Sequence, residues 1–380
     1  MKNCEKQSVI LKKKVSEFKE IITKSVKDCN AVYLVGHKNL DFDAIASLGA
    51  MALVCKKLKK APYIVIDQEE LDKLENDDKK FYEHEMLEKI KEKFVVINLD
   101  DYENNKQDNS LLIILDTSKG FMTPFKNNYE DFKKILILDH HKQDENTIKV
   151  NNKLILDELA SSCSEIMYWL LKQYKIIPSD VDYYTFLLIG IYLDTKKLTK
   201  SNAMPSTHEC VMELEEDHGA DKAKAELFFS PDYESTKRSY ELFNKAKWLT
   251  LRYAISVDNE EEYTKNEVSV AADLMEPFVC EAAIFCGKNA DGKYEVSARS
   301  NRGNVDIAYI MEVLNNGGGS MYNAACSPIF IDGEGPEENE ILENRIKDII
   351  YLKEVREQKS QPRKRFYLKN RRLGKEIKED

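Results

Sequence analysis

Apolar residues recur along this chain in two rhythms. Up to about residue 30, Val9, Ile10, Val15, Phe18, Ile21, Ile22 and Val26 stand three or four apart among lysines and glutamates. That is the spacing of an amphipathic helix leading into a first strand. From Ala31 onward, short apolar runs at 31–35, 62–66, 94–98, 111–115 and 135–138 alternate with longer amphipathic stretches, helix-like at 43–60 and 80–93. Strands alternating with helices predict an α/β fold with a doubly wound, mostly parallel sheet. Residues 157–174 predict a helix capped by its serines, 180–193 a largely buried helix or strand–helix segment, and 206–250 a charged helical connection. The texture then changes, with strand-like runs at 251–257, 267–272, 279–286 and 293–299 separated by turn signals such as Asn289-Ala290-Asp291-Gly292. These patterns predict a first domain over 1–235, a helical linker at about 231–250, a smaller α/β domain over 236–335 and a charged helical and basic extension over 336–380.

Composition narrows the partners. A formal net charge of -10 over 380 residues argues against general affinity for a nucleic-acid backbone and favours a small nucleotide over a polymer. The eight cysteines are scattered without a CxxC pair, which favours reduced thiols over a disulfide framework or structural zinc. The start lacks the apolar core of a signal peptide, and no run approaches the ~20 residues of a membrane span, so a soluble, cytoplasmic chain is expected. The stretch from Pro362 to Arg372 is basic and holds Phe366 and Tyr367. Its readings are an auxiliary RNA, nucleotide or partner contact, or simply a solvated terminus. A homodimer is compatible with the chain.

Chemistry concentrates where the first apolar runs end. Asp139-His140-His141 follows Ile135–Leu138; His37, Asp41 and Asp43 follow Val32–Val35; Asp116 follows Leu111–Leu115; Asp194 follows Leu187–Leu193. One aspartate after a strand is most often a turn or cap. Three of only six histidines together with several aspartates at successive run ends is a different matter. In a loop between a strand and a helix, His37 and Asp41 can converge on one ion while Asp43 faces a second. Asp116 is the candidate bridge, and His140 with Asp194 completes the second site. Oxygen-rich coordination with imidazoles favours two Mn²⁺ ions over zinc, with Mg²⁺ or Co²⁺ as substitutes. Two such ions roughly 3.5–4 Å apart suit an in-line phosphoryl displacement, with His141 left to bind a phosphoryl oxygen or protonate the leaving oxygen.

These residues resemble the DHH/DHHA1 phosphoesterase superfamily. Asp139-His140-His141 is similar to its naming motif, His37-x3-Asp41-x-Asp43 to its first, Leu115-Asp116-Thr117-Ser118 to its second and Gly190-Ile191-Tyr192-Leu193-Asp194-Thr195 to its fourth. The resemblance implies that His37, Asp41, Asp43, Asp116, His140 and Asp194 are metal ligands, that Asp139 orients an imidazole, and that His141 works on the scissile phosphate. Ala160-Ser161-Ser162-Cys163-Ser164-Glu165 resembles a serine-rich segment near the family's substrate, implicating Ser162 and Ser164. In the second domain, Arg299, Ser300, Gly317-Gly318-Gly319 and Asn323 look like parts of the substrate-binding DHHA1 domain. There Arg299 would offer a fork to phosphate and the glycine turn its backbone N–H groups. One departure is plain: Ser320 stands where the family's glycine run ends in histidine, which bears on substrate choice. The likeness is nearest to stand-alone cyclic di-AMP and pApA phosphodiesterases. Alternatives are an exoribonuclease on short oligoribonucleotides with 3',5'-phosphoadenosine phosphatase activity, and an inactive nucleotide- or RNA-binding module.

Overall fold

A computed structural model describes residues 2–360 except 78–79, 127, 157–158, 179, 201, 228–232, 250–251, 276–277, 279–280, 301–304 and 320–322. Ser320 and the basic tail therefore lie outside the described residues. The chain divides into two units, residues 1–230 and 231–380.

The first unit runs α1 (Lys2–Asp28), β1 (Val32–Val35), α2 (Phe42–Lys57), β2 (Pro62–Val65), α3 (Gln68–Asn76), α4 (Phe81–Lys91), β3 (Val95–Ile97), α5 (Leu99–Asn105), β4 (Ser110–Leu115), β5 (Phe132–Asp139), β6 (Lys153–Ile155), α6 (Cys163–Tyr174), α7 (Asp182–Thr195), α8 (Pro205–Met212), a π-helical turn over Glu213–Asp217, and α9 (Lys222–Leu227). Its six strands are all parallel in the order β3-β2-β1-β4-β5-β6. The strands are short apolar runs because both faces are covered. Val32, Leu34, Ile113 and Leu136 pack in one core with α1, α2, α6 and α7, while Tyr33, Val35, Ile114 and Ile137 pack in the other with Tyr102 of α5.

The order in which strands are added reverses between β1 and β4, which stay parallel while their next neighbours lie on opposite sides, and such a switch point opens a crevice at the carboxyl ends of the strands. The register levels those ends: Val35 pairs with Ile114, and Ile114 with Ile137. Residues just beyond β1, β4 and β5 therefore emerge at one height.

The second unit begins with α10 (Tyr233–Asn244) and continues β7 (Lys247–Trp248), β8 (Tyr253–Asp258), α11 (Lys265–Asp273), β9 (Ala282–Lys288), β10 (Tyr294–Arg299), α12 (Ile307–Asn315), β11 (Gly318–Gly319), β12 (Asn323–Ile329) and α13 (Pro336–Ser360). Its mixed sheet has the order β11-β12-β10-β9-β8-β7, with only β8 and β9 parallel. Ile255, Ile284, Val296, Ile310 and Leu342 form a core on one face, and Leu242, Ala254, Val268 and Phe285 form a core on the other.

Several expectations need correction. Residues 267–272 are helical, not a strand. The helix α11 starts in a reciprocal capping box between Thr264 and Glu267, and Val268, Ala271 and Ala272 bury one helical face. Of the two readings of residues 180–193 the helix holds, running from Asp182 to Thr195, and α3, α5 and β6 join the pattern read from the sequence. Gly318-Gly319 forms a short strand paired with Ala325 and Ala324, where a turn was expected. Gly317 and Gly319 are compatible with that pairing because a Cβ at either would lie 2.4 Å from the Ala325 oxygen or 2.3 Å from the Asn323 oxygen. Cys29, Cys55, Cys163, Cys210, Cys286 and Cys326 are unpaired. No described helix is long and apolar enough to cross a membrane.

Candidate metal centre

The crevice at the switch point gathers the aspartates and histidines of four chain segments. The loop after β1 delivers His37 and ends at Asp41, the N-cap of α2, whose carboxylate accepts a bond from Ala44 N at 3.1 Å. Asp43 lies in the first turn of α2. Asp116 ends β4 in the left-handed region at φ +59, a conformation asparagine and aspartate adopt more readily than other non-glycine residues. Its N–H is held by the Leu138 carbonyl at 3.0 Å. Asp139, His140 and His141 leave β5, and Asp194 stands in the last turn of α7.

Their ligand atoms form three groups, each within 4.8 Å: His37 with Asp41 and Asp116, Asp43 with His140 and Asp194, and Asp116 with His140 and His141; the first two are the candidate cation sites. His37 Nε2 lies 3.6 Å from Asp41 Oδ1 and 3.4 Å from Asp116 Oδ2. Its Nδ1 donates to the Lys38 carbonyl at 2.7 Å, so that the ring, once neutral, would present its lone pair at Nε2. His140 Nε2 lies 3.3 Å from Asp116 Oδ1, 3.2 Å from Asp194 Oδ2 and 3.9 Å from Asp43 Oδ2. The two oxygens of Asp116 thus face two different imidazoles. Asp116 Oδ1, His140 Nε2 and Asp194 Oδ2 are all buried without a hydrogen-bond partner, which is the condition of ligand atoms suited to a cation.

Electrostatics agree with that fit. Burial, with Asp116 and Asp194 nearby, pushes the Asp43 carboxyl well up. Burial, together with Asp116 and Asp41, raises Asp194 to about 6. Burial opposes protonation of both imidazoles, yet the carboxylates around them win: Asp116 and Asp41 lift His37 to about 11, and Asp116 with Asp194 lifts His140 to about 10. Asp116 itself is held below the ordinary carboxylate range by the two imidazoles, against its burial.

Asp139 is fully buried and stands apart from both groups. Its Oδ1 accepts from His141 N at 3.1 Å and pairs with His141 Nδ1 at 2.9 Å. Although His141 Nδ1 also lies 3.9 Å from Asp116 Oδ1, its bond to Asp139 engages that nitrogen. His141 is 54% exposed, so its other ring nitrogen is open to solvent.

The serine segment stands behind the metal groups. Ser162 caps α6 by accepting from Glu165 N at 3.1 Å, and Cys163 N and Ser164 N donate to Asp43 Oδ2 at 2.8 Å and Oδ1 at 2.7 Å. Ser162 and Ser164 are wholly buried. In the second unit, Arg299 is buried, and its guanidinium donates to Asp273, Ser297, Asn323 and Ser269 side chains and to the Ala298 carbonyl. The expected phosphate fork is therefore engaged inside the unit. Ser300 Oγ donates to the Glu281 carbonyl at 2.8 Å.

Sequence reading missed the backbone N–H pair on Asp43 and the buried Glu165, although Ser162-x-x-Glu165 preceding an apolar run is a helix-start signal. His218 stacks on Tyr184 with ring centroids 4.3 Å apart.

Comparisons with known proteins bear on the same residues. The model of the DHH family, N-terminal domain, matches residues 31–191. Cyclic-di-AMP phosphodiesterase GdpP of Bacillus subtilis (strain 168) is 28% identical over 316 residues, 81% of this chain and 46% of that protein. Cyclic-di-AMP phosphodiesterase PdeA of Listeria monocytogenes serotype 1/2a is 27% identical over 335 residues, 84% of this chain and 48% of that protein. The chain thus spans about half the length of these curated relatives. Among solved structures, an exopolyphosphatase-related protein from Bacteroides fragilis matches with a TM-score of 0.64 at 16% identity, covering 89% of this chain and 98% of that one; the likeness is one of fold.

Proposed function

We propose that this chain, whose residues 31–191 match the DHH family model, is a phosphodiesterase that uses two divalent cations, Mn²⁺ foremost, to hydrolyse cyclic di-AMP or its linear product pApA. The observation that carries this reading is Asp116, a buried carboxylate turned with one oxygen toward each of two imidazoles. A bound pair of cations supplies an activated water and neutralises charge on the phosphoryl group. His37, Asp41 and Asp116 would hold one cation, and Asp43, His140, Asp194 and Asp116 the other. Asp139 fixes the His141 ring through Nδ1, which leaves Nε2 to exchange a proton with the leaving oxygen. The names of the GdpP and PdeA relatives support a cyclic dinucleotide as substrate. In this reading nucleotide contact falls to Gly317, Gly318, Gly319, Ser320 and Asn323 of the second unit, with Arg299 bracing Asn323.

The test is Mn²⁺-dependent hydrolysis compared across cyclic di-AMP, pApA, 3',5'-phosphoadenosine, a five-nucleotide RNA and pyrophosphate. Preference for the first two is expected. Stepwise shortening of the RNA with cyclic di-AMP left intact would replace the reading with an exoribonuclease. Binding of cyclic di-AMP without hydrolysis would leave a nucleotide-binding module.

A further inference from the structure

Glu165 is completely buried within the first turn of α6 and forms no ion pair among the described residues. A carboxylate buried without a countercharge is costly. One of its oxygens, Oε2, collects three donors: Ser161 N at 2.8 Å, Ser161 Oγ at 2.9 Å and Thr207 Oγ1 of α8 at 2.9 Å. The other, Oε1, has no hydrogen-bond partner.

Ser161, the residue so held, is linked to both aspartates of the second metal group. In one direction the chain passes through the N-cap Ser162 to Cys163 and Ser164, whose N–H groups grip both oxygens of Asp43. In the other, Asn202 Nδ2 donates to the Ser161 carbonyl at 3.4 Å and to the Asp194 carbonyl at 3.3 Å. Neither His37 nor Asp41 bonds to this network among the described residues.

We propose that Glu165 is a positioning residue for the second metal group: by fixing Ser161 it sets both the α6 terminus that holds Asp43 and the Asn202 strap on Asp194. The inference rests on the two-cation reading above, and it concerns one group of ligands and not the other. A residue that merely stabilised the fold would affect both groups alike.

The test is calorimetric titration of Mn²⁺ into the full chain, with circular dichroism to establish folding. The wild type is expected to take up two ions. In Glu165→Gln one ion should keep its affinity while the other binds about ten- to a hundredfold more weakly, the usual loss when a residue supporting a ligand is changed. Asn202→Ala, which cuts the strap without touching the buried carboxylate, should weaken the same ion. Should Glu165→Gln fail to fold, Asn202→Ala decides by the same readings. Folded variants with both affinities unchanged, or with both lowered equally, would overturn the proposal. A wild type that takes up no Mn²⁺ would remove the two-cation reading itself, a failure distinct from that of Glu165.

Discussion

At the scale of single residues, the same side chains that ask for cations also hold protons in their absence. The carboxylates raise His37 to about 11 and His140 to about 10, which favours the protonated rings before a cation binds. Ligation needs the neutral ring, and Asp43, with its carboxyl pushed up, must ionise as well. Metal uptake therefore releases protons, and Mn²⁺ affinity should rise from about pH 6 to pH 8. Titrations in buffers of different ionisation enthalpy measure that release; equal heats in all of them would refute it. Asp116→Ala is expected to leave no measurable turnover because it removes the carboxylate proposed to serve both cations. His141→Ala should keep two ions by calorimetry yet lose about 10²–10⁴ in rate. Normal hydrolysis by the Asp116 variant would end the two-metal account.

At the scale of elements, α6 and α7 meet where a single methyl group matters. A Cβ on Gly190 of α7 would stand 2.2 Å from Ser164 Oγ, 2.9 Å from Asp43 Oδ1 and 3.0 Å from Asp43 Cα. Overpacking of this kind costs about 1–3 kcal/mol. Gly190→Ala should lower the melting temperature and also loosen one Mn²⁺, because the displaced atoms include a ligand. Ser162→Ala removes the α6 cap and should cost about 1 kcal/mol in denaturant unfolding. Elements also show what the sequence made legible. The runs ending before His37, Asp116 and Asp139 announced their strands because parallel strands covered on both faces need unbroken apolar stretches. The segment 267–272 misled because Val268 and Val270 alternate like a strand, while the decisive signal, Thr264 three residues before Glu267, lay just outside it. The burial of Ser162 and Ser164 was illegible because serine marks both caps and substrate contacts, and only packing separates them.

At the scale of the whole molecule, charge and architecture point the same way. A chain of net charge -10 that buries Asp43 and Asp116 beside one another gathers carboxyl groups that cations would bind. Binding to the folded state alone stabilises it by mass action, about 2.7 kcal/mol at a hundredfold excess over the dissociation constant. Chelation with EDTA should therefore lower the thermal midpoint, and Mn²⁺ should restore it; an unchanged midpoint would count against a metal-dependent fold. The ligand set was readable in the sequence because it clusters at strand ends. Arg299 was not, since the salt bridge to Asp273 joins residues 26 apart and a guanidinium facing inward is spelled like one facing out.

The level register of β1, β4 and β5 makes the backbone a ruler for the chemistry. One residue inserted within β4 would advance Asp116 by about 3.3 Å and turn it to the opposite face of the sheet. The distance between the two imidazoles is thus counted out in peptide units, and variation in the length of these three strands is the change this protein can least accommodate.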